Sequence, residues 1–79
     1  MKNPASVKAF GIHLKELRNA RGWSQQVLAD YADVAKLTVQ RIEHARGAAT
    51  IDVLVSLARA LEITLPELVE FTQCLDNES

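Results

Sequence analysis

Two short helical segments joined by a tight connection restrict this chain more than any other feature. Ser24-Gln25-Gln26-Val27-Leu28-Ala29 opens with a hydroxyl suited to cap a helix. A second segment, Val34-Ala35-Lys36-Leu37-Thr38-Val39-Gln40-Arg41-Ile42-Glu43, follows within a few residues. In that segment Val39 and Ile42 share one side at helical spacing, while Lys36, Leu37, Gln40, Arg41 and His44 fall on the other. A helix so divided lies on a scaffold with its polar stripe outward, and the rest of the chain has to provide the scaffold.

Helical periodicity runs through that remainder, with no sustained strand-like alternation, so the fold class expected is all-α with five helices. The first covers about Ser6 to Ala20, with Phe10, Leu14 and Leu17 on one stripe, and Arg21-Gly22 closes it with a cation and a helix-ending glycine. The second begins after Ser24 and turns Val27, Leu28 and Tyr31 inward; small Ala29 lets another helix cross close by. The third spans about Ala35 to Ala45. The fourth follows Thr50, with Ile51, Leu54, Leu57, Ala58 and Leu61 as its core stripe. Thr64-Leu65-Pro66-Glu67 opens the fifth as a capping box with proline in the first turn. A chain of 79 residues buries about 60–65% of its unfolded surface. It is therefore read as a single domain over 1–79, with a core of about residues 6–72, frayed ends from about Asp76, and modest or association-dependent stability.

Charge divides the chain in two. Through Gly47 eight Lys or Arg oppose four acids, and after Gly47 Arg59 alone opposes six, although the total is only −1. One positive half and one negative half suit a molecule with one face toward phosphates. The apolar residues are interrupted by charges throughout, which excludes a membrane span and wholesale disorder. The N-terminus has no signal-peptide apolar run, so a cytoplasmic protein is expected. The lone Cys74 has neither a disulfide partner nor zinc-site spacing and reads as a free thiol. His13 and His44 are isolated, and neither a glycine-rich phosphate loop nor a nucleophile–base arrangement is present; no enzyme, cofactor or metal is expected.

Phe10-Gly11, Leu14, Leu17-Arg18, Arg21-Gly22-Trp23-Ser24-Gln25, Leu28-Ala29, Val34, Val39, Arg41-Ile42-Glu43 and Thr50-Ile51-Asp52-Val53-Leu54 onward to Leu61 together resemble the Cro/repressor-type (XRE-type) helix-turn-helix proteins. The likeness runs from about Ala9 to Val69. It implies a compact five-helix DNA-binding domain whose second and third helices form the helix-turn-helix. It also implies a phosphate contact from Gln25, and pairing of Arg18 with Glu43 to fix the third helix against the scaffold. Departures from the family pattern concern helix ends. Asp33 stands where glycine is usual, Ala35 replaces a hydroxyl cap, Ala45 replaces a glycine and Ala49 a common proline. Gly47 is expected to take over the turn chemistry that Ala45 cannot supply.

The outward stripe of the third helix is sized for a major groove. Lys36 and Arg41 suit guanine O6 and N7, or phosphate; Gln40 suits adenine; Leu37 suits a thymine methyl, or else is an incompletely buried core residue. Gln26, His44 and Arg46 join Gln25 as phosphate candidates. Leu65, Leu68, Val69, Phe71 and Leu75 exceed what a small core needs from the fifth helix, and are expected either to form a two-fold homodimer interface or to cap the core. The function expected is a sequence-specific double-stranded-DNA-binding regulator, a repressor acting as a homodimer on a two-fold operator. The alternative is an antitoxin-like or adaptor module on the same fold that contacts a protein partner such as a toxin or the transcription machinery. Operator sequence, sign of regulation, and the choice among stand-alone repressor, restriction-modification controller and antitoxin are not written in the chain.

Overall fold

The computed structural model describes residues 4–69, and among them five helices follow in order: α1 (Pro4–Ala20), α2 (Gln25–Ala32), α3 (Lys36–Glu43), α4 (Ile51–Leu61) and α5 (Leu65–Leu68). Most boundaries have a local chemical cause. After α1, Gly22 takes a left-handed backbone at φ 71°, which costs a residue without Cβ nothing, and its N–H returns to Asn19 O at 2.9 Å. Ser24 Oγ then accepts from Val27 N at 3.2 Å and starts α2. Thr50 Oγ1 accepts from Val53 N at 3.3 Å and starts α4. At α5 the capping box is complete: Glu67 N donates to Thr64 Oγ1 at 3.2 Å, and Thr64 N donates to Glu67 Oε1 at 2.8 Å.

The connections flanking α3 are built differently. Asp33 is left-handed at φ 59° and ends α2, with Val34 N donating to Ala29 O at 3.0 Å. Asp tolerates this conformation better than most residues. Ala35, the N-cap of α3, has no side-chain acceptor to offer. Beyond α3 the expectation for Gly47 is overturned: Ala45 itself adopts φ 56°, and Gly47 does not have a positive φ. The chain must reverse immediately after His44, so Arg46 N can reach Arg41 O at 2.7 Å, and that reversal falls two residues before the glycine.

Leu14, Leu28, Val39, Leu57, Leu61 and Leu68 are fully buried and meet at the centre, with Phe10, Ala29, Ala32, Ile42 and Ala58 around them. α1 packs on α3, α2 lies between α3 and α4, and α4 carries α5. Three expected placements are corrected. Tyr31 is 66% exposed, because it stacks on Trp23 at the flank of α2 (centroids 4.7 Å apart) instead of entering the core. Ile51 is 74% exposed, since it opens α4 before that helix has reached the core. Leu68, expected at an interface, is fully buried in its own chain: α5 is four residues long, and this side chain anchors it. Phe71, Cys74, Leu75 and the expected fraying from Asp76 lie outside the described residues.

Candidate nucleic-acid interface

What α3 presents depends on how firmly its other side is held. Val39 and Ile42 are buried, but the last turn is fixed by polar chemistry. Arg18, on α1 and 8% exposed, donates from Nε to Glu43 Oε2 at 2.7 Å and from Nη2 to Glu43 Oε1 at 3.0 Å. Its third nitrogen, Nη1, donates to Trp23 O at 2.7 Å, so one guanidinium ties together α1, the α1–α2 turn and α3. The hydrogen bonds to Glu43 hold the Arg18 pKa above its ordinary value, outweighing the burial that would lower it. Gln25, first residue of α2, donates from Nε2 to Glu43 Oε1 at 3.0 Å. One carboxylate thus accepts from two other helices, and a planar fork against it leaves little rotational freedom.

On the opposite side Lys36, Leu37, Arg41, His44 and Arg46 are exposed, and Gln40 is half-buried. Leu37 is 53% exposed, which rules out its reading as a core residue of this chain. The ion pairs among the described residues are Arg18–Glu43 and a surface pair, Arg21–Glu62; Lys36, Arg41 and Arg46 take part in neither. Leu37, Lys36 and Arg41 on α3, with Arg46 in the turn just after it, form a surface suited to base edges and phosphates.

The phosphate candidates are not equivalent. Gln25 has committed one amide N–H to Glu43, leaving the second for a ligand. Gln26 Nε2 donates along its own helix to Asp30 Oδ1 at 2.8 Å. Arg46, brought back by the reversal at Ala45, lines a groove of about 230 Å³ together with Thr38, Arg41 and Thr50. The sequence leaves Arg41 open between guanine and phosphate and names Arg46 as a phosphate candidate; what it does not show is that the two share a wall with two threonines. Thr38 and Arg41, three apart on a helix, are a legible pair, but Arg46 joins them only through the tight turn. Of the expected interface residues, Leu65 is 37% exposed and Val69 half-buried, while Ile51 and Val55 (39% exposed) add an apolar pair one turn apart on α4. Among the described residues no helix is long and apolar enough to cross a membrane, and no cluster of three His, Cys, Asp or Glu could hold a metal.

Comparison with known proteins agrees with this geometry. The chain matches the helix-turn-helix family over residues 14–68. It is 28% identical over 69 residues to the competence pilus inhibition repressor of Acinetobacter baylyi, across 87% of this chain and 63% of that longer protein. Among solved structures it is similar to the restriction-modification controller protein C.AhdI of Aeromonas hydrophila, with 34% identity and a TM-score of 0.79 over 81% of this chain and 97% of that one. It also resembles the clp gene regulator ClgR from C. glutamicum, with a TM-score of 0.78 over 89% and 91% of the two chains; at 20% identity that likeness concerns the fold alone. The family match, the controller-like fold and the exposed cationic face of α3 agree: the chain belongs to the XRE-type helix-turn-helix family of DNA-binding transcriptional regulators.

Proposed function

We propose that this protein is a sequence-specific repressor that binds double-stranded DNA in a prokaryotic cytoplasm as a homodimer on a two-fold operator. The observation that carries the reading is the exposed face of α3, cationic and apolar together, on a helix whose reverse side is clamped through Glu43. Lys36 donates to guanine, Gln40 pairs with adenine and Leu37 packs on a thymine methyl. Arg41 and Arg46, sharing one groove with Thr38 and Thr50, take the phosphates beside it, with His44 and the remaining amide N–H of Gln25 as further anchors. The name of the similar Acinetobacter protein supports a repressing role.

Ile51, Val55 and Leu65 are the apolar side chains this reading assigns to the homodimer contact, with Val69 at its edge. A single helix-turn-helix reads about half a site, and two-fold pairing places two such helices one DNA turn apart. The test is selection of bound sequences from a random DNA pool at near-physiological salt. A two-fold palindrome with half-sites about 34–36 Å apart is the expected result; a folded protein that enriches nothing overturns the reading. Arg41→Ala then sorts phosphate from base: it should lower affinity across all sequences and reduce the salt slope by about 1, with the selected motif unchanged.

A further inference from the structure

We infer that Gly11 is a positioning residue for the recognition helix: the missing side chain in the middle of α1 sets where the last turn of α3 lies, and therefore which base edges Gln40 reaches. The inference rests on the DNA-binding reading and adds a determinant of specificity that touches no DNA.

A glycine inside a helix of 17 residues is costly without a compensating reason, because it gives up backbone entropy that alanine would not. The reason here is space. A Cβ built on Gly11 would come well inside 3.0 Å of Ile42 O and within 3.0 Å of Glu43 O, and both are main-chain atoms. No rotamer change relieves a clash with backbone, so a methyl at this position moves one helix relative to the other. The two carbonyls belong to the final turn of α3, and Ile42 O already accepts from Ala45 N at 3.1 Å, which locks that turn to the left-handed reversal behind it. Arg18 stands seven residues after Gly11, two turns along the same side of α1, and grips the Glu43 carboxylate. α1 therefore holds the end of α3 at two points: a bare backbone that sets the distance, and a guanidinium that sets the rotation. Gln40 and Arg41 lie within three residues of both held carbonyls, whereas Lys36 and Leu37 open the helix at its far end. Displacing the last turn moves the former more than the latter.

The experiment is sequence selection with Gly11→Ala beside the unaltered protein, Gln40→Ala and the surface control Ile12→Ala, with the folded fraction of each measured by thermal melting. The expected Gly11→Ala protein melts cooperatively, binds the wild-type site about tenfold or more weakly, as the loss of one base contact would give, and selects a motif altered at the same positions that Gln40→Ala alters. Where Gly11→Ala lowers the folded fraction, the comparison is made between Gly11→Ala/Ala45→Gly and Ala45→Gly, since glycine at 45 frees the turn to follow a displaced α3. A folded Gly11→Ala protein with the wild-type motif and affinity overturns the inference, and so does lowered stability with an unchanged motif, which a merely structural role would give. If the unaltered protein selects no motif, it is the DNA-binding reading that fails.

Discussion

α3 and α4 are near neighbours in the chain, yet they are made helical in different ways. α4 has eleven residues, a threonine cap, Asp52 in its first turn and Arg59 in its last, so its start is capped locally and its charges complement the helix dipole, although it too ends on a left-handed non-glycine residue, Glu62 at φ 59°. α3 has eight residues, begins at an alanine with no cap bond, has no acid in its first turn, and is followed, just past its C-cap His44, by an alanine at φ 56°. What α3 lacks locally it receives from other elements: Val39 and Ile42 in the core, Glu43 gripped by Arg18 and Gln25, and α1 seated against its last turn at Gly11. The reading helix is therefore the one whose shape belongs to the whole domain, and that leaves its outward side chains free to vary without unmaking the helix.

The contrast is most sharply broken at Glu43. Glu43→Ala leaves the buried Arg18 guanidinium without its carboxylate and should cost about 3 kcal/mol in urea or thermal unfolding. Gln40→Ala should change stability by less than about 0.5 kcal/mol while weakening binding to the selected operator. Equal stability losses from the two would end the distinction between clamp and reader. Next in size is Thr50→Ala, which removes the hydroxyl that caps α4 and should cost about 1 kcal/mol; no loss would mean that α4 is held as non-locally as α3. The converse operation repairs α3. Ala35→Ser, which adds a cap, and Ala45→Gly, which relieves the left-handed alanine, should each raise stability by about 0.5–1 kcal/mol. A fall in melting temperature for either would show that tertiary contacts have shaped these ends around alanine.

The smallest effect concerns pH. The Thr64 backbone N–H, then its hydroxyl, holds the Glu67 carboxyl below the ordinary carboxylate range. A group whose folded pKa is depressed contributes stability above its unfolded value and loses it as pH falls through the lower folded value. Glu67→Gln should therefore flatten a slight acid-side slope in melting temperature and leave the neutral-pH value nearly unchanged; an identical acid slope in both proteins would remove this carboxylate from the account.

Much of the scaffold was legible because its signals are local. Ser24, Thr50 and the Thr64–Glu67 box announce helix starts through hydrogen bonds that span three residues, and Gly22 announces an end through a conformation that glycine adopts freely. Periodicity was less reliable at helix ends: Ile51 and Tyr31 keep the repeat of their helices but lie where the helix surface has left the core. The candidate site was legible as a stripe, since the burial of Val39 and Ile42 fixes what faces outward. The grouping of Arg41 with Arg46 was not, because it depends on a reversal placed at Ala45 where local preference favours Gly47.

The sequence by itself determined an all-helical chain with the helix-turn-helix between residues 24 and 43, and it named the outward side chains of α3, because caps and a 3.6-residue repeat act over a few bonds or one turn. Only the tertiary structure decided that Leu68 fills the core, that one carboxylate accepts from two other helices, and that Gly11 lies against the carbonyls of Ile42 and Glu43. Those are relations between residues 18 to 32 positions apart in the chain or buried among several helices, and no local preference encodes the distance between two helices; close packing does.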